Sequence, residues 1–168
     1  DRTTSATGSV YARSRAELPA ITAAGAPIPS LATVVAAGRG VRVNLECKDA
    51  AVVAPVCAAW RPDRDWLLSS FLIPALERAR VLAGDLPRAL CSVEGWRGID
   101  RAVRLGCVAL HLPCAQVDRA LVTACHERGL RVGAFTGNDP GTVARLAGCG
   151  CDAVFTDHPT RIRAACGR

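Results

Sequence analysis

The feature that most restricts the fold is an alternation that begins near residue 40 and runs on toward the C-terminus. Short β-type runs occur at Val41–Cys47, Trp66–Phe71, Arg88–Ser92, Cys107–Leu112, Arg131–Thr136 and Ala153–Thr156. Between and after them lie segments of helical periodicity, Ala50–Trp60, Pro74–Ala83, Trp96–Leu105, Ala115–Arg128, Gly141–Ala147 and Arg161–Cys166. A strand followed by a helix and another strand implies parallel pairing, because the helix returns the chain to the end of the sheet where it began. Gly84, Gly106, Gly129 and Gly148 follow helical runs, and Pro74 and Pro140 open two of them, where the missing N–H has no partner to lose. Strands about 20 residues apart suit an α/β fold of the (β/α)8 TIM-barrel type, which takes roughly 250 residues for eight units. Six units are recognisable in this chain.

The first forty residues follow a different pattern. Asp1–Ser9 reads as a loop, Arg15–Ala24 as a short helix, Gly25–Ser30 as a turn and Leu31–Ala37 as a helix capped by Ser30. No linker or low-complexity tract interrupts the chain, so residues 1–168 are expected to form one domain. Residues 1–40 would supply a loop and helices, and residues 41–168 six β/α units. The chain starts at Asp1 and contains no methionine. The N-terminal quarter of the barrel, with two strands, is therefore expected upstream.

Charge and cysteine usage narrow the partners. Of the 21 basic residues only Lys48 is a lysine, and the arginines are scattered over helix exteriors, as at Arg78, Arg101, Arg119 and Arg145. That distribution describes a solvated surface rather than a nucleic-acid stripe. No run approaches the ~18 apolar residues of a membrane-spanning helix. The nine cysteines form no CxxC pair and fall mostly in apolar runs or on apolar helix faces. They are expected to be reduced core thiols in a cytoplasmic protein. No pattern in the chain sets an oligomeric state.

In a parallel barrel the chemistry collects where strands end. Along Val41-Arg42-Val43-Asn44-Leu45-Glu46-Cys47-Lys48, odd positions are apolar and even positions polar. Period-two alternation puts Asn44, Glu46 and Lys48 on one face, which points into the barrel if the apolar face meets the helices. Glu46 offers hard oxygen to Mg²⁺ or Ca²⁺, and Lys48 a compact charge to a phosphoryl oxygen. A structural ion pair is the other reading of the same two residues.

Several segments together resemble the glycerophosphodiester phosphodiesterase family. Asp1-Arg2-Thr3-Thr4-Ser5-Ala6-Thr7-Gly8 is similar to its Arg-Thr-Thr loop, and Ile28-Pro29-Ser30-Leu31 to its Ile-Pro-Thr-Leu helix start. Asn44-Leu45-Glu46-Cys47-Lys48 resembles its Asn-Ile-Glu-Ile-Lys strand, and Ser69-Ser70-Phe71 its Ser-Phe strand end. Phe135-Thr136-Gly137-Asn138 is similar to its Trp-Thr-Val-Asn segment, and Gly150-Cys151-Asp152 through Thr156-Asp157-His158-Pro159 to its closing motif.

The resemblance implies a TIM barrel that hydrolyses glycerophosphodiesters to an alcohol and sn-glycerol 3-phosphate with a divalent cation. It implies Glu46 as a metal ligand, and Lys48 and Phe135 as substrate-binding residues. The family's two catalytic histidines and two further metal carboxylates would precede Asp1, so no catalytic residue is assigned here and this chain alone is expected to be inactive. Among the three histidines, His111 ends a strand and is the candidate for lining the pocket. His126 reads as a helix-end residue, His158 as a surface residue and Asp157 as the cap of the last helix. The alternative function is a non-catalytic barrel that binds phosphate or serves as a scaffold.

Overall fold

The computed structural model describes residues 4–38 and 40–166. Asp1, Arg2 and Thr3, which carry much of the Arg-Thr-Thr resemblance, lie outside the described residues. The chain divides into two compact units, Asp1–Gly40 and Val41–Arg168.

In the first unit, strand β1 (Thr22–Ala23) pairs antiparallel with β2 (Ala26–Pro27), and helix α1 spans Leu31–Ala37. Ser5 extends the small ladder, its N–H donating to Thr22 O at 2.8 Å and its Oγ accepting from Thr22 N at 2.9 Å. The expected helix over Arg15–Ala24 does not form. A helix there would bury Pro19 in its interior, removing a donor and clashing with the preceding turn. Pro19 sits instead in a 3-10 turn, Leu18–Ala20, and the chain then enters the hairpin. Ala24 and Gly25 make its turn with φ of 50° and 81°, and only the glycine holds that conformation without cost. Ser30 caps α1 as expected, accepting from Thr33 N at 3.2 Å.

The second unit alternates without interruption: β3 (Val43–Glu46), α2 (Val53–Ala59), β4 (Trp66–Ser70), α3 (Ile73–Leu82), β5 (Arg88–Cys91) and α4 (Gly95–Arg104) come first. β6 (Ala109–Pro113), α5 (Arg119–His126), β7 (Arg131–Phe135), α6 (Pro140–Gly148), β8 (Ala153–Val154) and α7 (Pro159–Ala165) complete it. All six strands pair in parallel in the order β3-β4-β5-β6-β7-β8. The expected long helix over Ala115–Arg128 is broken. A 3-10 turn occupies Cys114–Gln116, and Asp118 starts α5 by accepting from Leu121 N at 2.8 Å.

Alternation along each strand sorts the side chains onto two faces. Leu68, Leu90, Leu110, Leu112 and Val132 are buried on the face that α3, α4 and α5 cover. Each contributes about 1.5–3 kcal/mol by leaving water. Arg88 is also buried there, 6% exposed, and meets no carboxylate among the described residues. Its guanidinium donates to Gly84 O, Leu86 O and Gly106 O at 3.0, 2.9 and 3.2 Å, carbonyls left over where α3 and α4 end. All nine thiols are free, although Cys166 is exposed rather than part of an apolar helix face. Burial pushes the Cys91 thiol up to about 12 and Cys47, Cys107 and Cys125 to about 11, so these behave as small apolar groups. Among the described residues no helix is long and apolar enough to cross a membrane.

Candidate functional site

The other face of the sheet carries the polar positions of β3. Glu46 pairs in register with Ser69, and Cys47 N donates to Ser69 O at 2.8 Å, which carries the ladder past the end of β3. Two residues further along each chain, Lys48 and Phe71 stand at matching heights above Glu46 and Ser69. Lys48 Nζ lies 3.4 Å from Glu46 Oε1, with side chains 80% and 34% exposed. An ion pair this wet is worth at most about 1 kcal/mol, so a ligand that takes the ammonium displaces little.

Register extends the inward rows across the sheet. Ser69, Ala89 and Ala109 form one row, and Cys91, His111 and Gly133 the next. His111 is 4% exposed, with Nδ1 3.7 Å from the Cys91 sulfur. Its ring lies across Gly133 and meets Phe155 edge to face, with centroids 4.8 Å apart. A Cβ at Gly133 would stand 2.7 Å from His111 Cδ2, so only glycine admits the imidazole. Burial drives the His111 pKa down to about 4, leaving the ring neutral near pH 7.

Phe71, which follows β4 in the row of Cys91 and His111, meets Phe135 from the next row with centroids 5.8 Å apart and planes at 74°. Phe71 directly follows β4 and Phe135 ends β7, and β5 and β6 separate those two strands. On a flat sheet three strand spacings of about 4.8 Å would hold them roughly 14 Å apart. The contact therefore depends on the curl of the sheet, and the two rings bridge its concave side across β5 and β6. His111 thus lies in the row of Phe71, one row below Phe135 on the inward face. Phe71 received no role from its sequence; its signal was its position two residues beyond Ser69 on the same face.

The loops behind the rim are tied together by Asn138. Its Oδ1 accepts from Asp157 N and the Thr156 hydroxyl at 2.9 and 3.1 Å, and its Nδ2 donates to Asp157 Oδ2 at 2.8 Å. Asp157 is therefore held by Asn138 and does not cap α7; the cap position is His158, whose side chain makes no capping bond. His126 Nε2 lies 2.8 Å from Asp152 Oδ2, the same oxygen that accepts from Val132 N at 2.7 Å.

A basin of about 810 Å³ opens on the concave side toward the N-terminal ends of the strands, where Arg42, Asp65 and Arg131 line it, and reaches inward to His111, Gly133 and Phe155, so His111 lines this basin rather than the rim. Its Arg42 and Asp65 are paired at 2.8 Å, and barrels place stability rather than chemistry at this end. At the rim, Glu46 is a suitable oxygen donor for a divalent cation. Among the described residues, however, no three His, Cys, Asp or Glu groups converge as a cation would require, so these residues alone do not make a metal centre.

The geometry defines a class: a parallel β/α half-barrel with an ion pair and an aromatic bridge at the C-terminal ends of its strands. Comparison with known proteins narrows it. A sequence model of the glycerophosphoryl diester phosphodiesterase family matches residues 20–161. An Oleispira antarctica phosphodiesterase, solved in complex with the product sn-glycerol-3-phosphate, is 29% identical at a TM-score of 0.84, over 99% of this chain and 76% of that one. A glycerophosphodiester phosphodiesterase from Agrobacterium tumefaciens gives 22% identity and a TM-score of 0.74, over 98% of this chain and 77% of that one. One from Parabacteroides distasonis gives 16% and 0.75, over 99% and 67%. At those two identities the likeness concerns the fold alone. The chain spans between 54% and 77% of the lengths of the solved structures compared. No curated protein sequence matches it. The chain belongs to the glycerophosphoryl diester phosphodiesterase family.

Proposed function

We propose that this chain is the phosphate-side portion of a glycerophosphodiester phosphodiesterase, releasing an alcohol and sn-glycerol 3-phosphate when complete. The observation that carries this reading is the Glu46–Lys48 pair, 3.4 Å apart at the rim of a curled parallel sheet, in a chain of this family. Lys48 holds a phosphoryl oxygen as a point charge, and Glu46 contributes one oxygen ligand to a divalent cation. Phe71 and Phe135 keep water from the inner side of the site. His111 packs against Phe155 and Cys91 on the same inward face. Only 4% exposed in that packing, it is assigned no proton transfer.

The two proton-transfer groups, general acid and general base, are assigned to histidines upstream of Asp1, on the strength of the family resemblance. The unpaired thiols support a reducing, cytoplasmic setting. The test has two parts. The 168-residue chain is expected to bind sn-glycerol 3-phosphate, to lose that binding in Lys48→Met, and to release no product from glycerophosphocholine. Turnover by this chain would overturn the assignment of the proton-transfer groups, and unaltered binding in Lys48→Met would remove Lys48 from the site. The alternative, a non-catalytic phosphate-binding barrel, draws on Glu46 being the one carboxylate placed on the inward face of β3. A chain joined to its upstream segment and still inactive would favour it.

A further inference from the structure

The thiols of the chain differ in their surroundings. Cys47, Cys91, Cys107 and Cys125 are buried and Cys166 is exposed, whereas Cys149 and Cys151 are half-buried. These two are also the only cysteines two residues apart. Cys149 closes α6 in helical conformation, three residues after Leu146, and so lies on the side of the helix that buries Val143 and Leu146. Gly150 then takes a φ of 85°, a left-handed turn that glycine holds without strain. Through that turn Cys151 N reaches back to Leu146 O at 3.1 Å, the same oxygen that accepts from Cys149 N at 3.1 Å. The backbones of the two cysteines thus converge on one carbonyl. An extended chain would set the Cα atoms of residues 149 and 151 about 7 Å apart, close to the limit that a disulfide spans, and the turn brings them inside it. Cys151 faces the sheet as well, its S–H shared between Val132 O at 3.3 Å and Ala153 O at 3.2 Å.

We propose that Cys149 and Cys151 are a reversible redox pair, which a low-molecular-weight disulfide closes into a disulfide across Gly150. Cys149, as thiolate, attacks one sulfur of the small disulfide, whose S–S bond breaks and releases one small thiol. Cys151 then loses its proton and attacks the Cys149 sulfur, releasing the second small thiol. Two protein thiols are oxidised to one disulfide, one small disulfide is reduced to two thiols, and the two protons pass to those thiols. Burial raises the Cys151 thiol above its ordinary value, with Asp152, Cys114 and Cys149 adding to the rise, so Cys151 is the poorer first nucleophile and acts second. Val132 O keeps its bond from Asp152 N at 2.9 Å when the thiol hydrogen is gone, so β8 stays paired with β7 and the oxidised chain keeps its fold. Cys151 precedes β8 while Lys48 follows β3, so the pair stands at the end of the strands away from the Glu46–Lys48 rim.

Trypsin releases residues 146–161 as one peptide that holds Cys149 and Cys151 and no other cysteine. The full chain, folded, is incubated with glutathione disulfide, quenched with acid and N-ethylmaleimide, and mapped by mass spectrometry. Exposed Cys166 reports that the oxidant was active. The peptide is expected to carry neither maleimide nor glutathione, to be lighter than its dithiol form by two hydrogens, and to regain two alkylatable thiols with dithiothreitol. In Cys151→Ser nothing releases the bound glutathione, so the mixed disulfide on Cys149 should rise roughly tenfold over the parent chain, as loss of an intramolecular thiol implies. If near-UV circular dichroism shows that serine disturbs the fold, Cys151→Ala provides the same comparison. Two maleimides on the peptide while Cys166 carries glutathione would overturn the inference. Glutathione retained equally by parent and variant, or a disulfide from either cysteine to Cys114, would overturn it as well. So would closure that abolishes the near-UV signal, since the pair would then react only on unfolding.

Discussion

Replacing Gly133 by alanine isolates the packing that sets the layer beneath the rim. The added Cβ would stand 2.7 Å from His111 Cδ2, 3.0 Å from Phe155 Cε2 and 3.2 Å from His111 Nε2. The imidazole cannot give way easily, because Phe155 lies on one side of it and Cys91 on the other. Overpacking of this kind costs about 1–3 kcal/mol. Gly133 sits mid-strand in β7 with no left-handed φ, so elsewhere the same change would stabilise by roughly 0.5–1 kcal/mol through the unfolded chain. The two effects separate in a double-mutant cycle with His111→Ala, measured by urea denaturation. Gly133→Ala alone should lower stability by about 1–3 kcal/mol, or the melting temperature by roughly 2–12 °C. In the His111→Ala background Phe155 can move into the vacated space, and the same change should be neutral or mildly stabilising. A coupling of about 2 kcal/mol is expected. Coupling within about 0.5 kcal/mol of zero would refute the claim that the imidazole is what excludes a side chain at residue 133.

Three further outcomes follow from the structure. His111 is held at about 4 in the fold against 6.5 as its ordinary value. The folded state therefore prefers the neutral ring, and the associated stability is fully present above pH 6.5 and disappears as pH falls toward 4. Urea titrations should show about 3 kcal/mol lost across that window, a component absent from His111→Gln. Removing the buried guanidinium in Arg88→Ala should cost about 3 kcal/mol by stranding three carbonyls, and Arg88→Met should cost less; a change under about 0.5 kcal/mol in Arg88→Ala would contradict this. Alkylation with iodoacetamide followed by peptide mass spectrometry should modify exposed Cys166 first and leave buried Cys91, Cys107 and Cys125 unmodified until the chain unfolds. Equal labelling of all four would refute their placement.

The alternation after residue 40 was legible because periodicity records which side of each element meets the core. All six strands appear where apolar runs placed them, within a residue or two at most ends. The first forty residues were less legible. Arg15–Ala24 has helical composition, yet Pro19 and the Ala24–Gly25 turn outweigh it, and the pairing of Thr4 and Ser5 with Thr22 and Ala23 is a longer-range contact with no local signature. Asp157 carries an ordinary capping signal, but Asn138, 19 residues away, competes for its carboxylate.

Side-chain facing along a strand is a property of the strand itself, since alternate residues point to opposite sides. For that reason Glu46 and Lys48 could be put on one face from eight consecutive letters. Which residues stand opposite that pair depends on curl, and curl is a sum of small twists over many strands that no single segment encodes. Only the folded sheet brings Phe71 to Phe135 across two intervening strands, packs His111 against Phe155 and leaves Gly133 no room for a side chain.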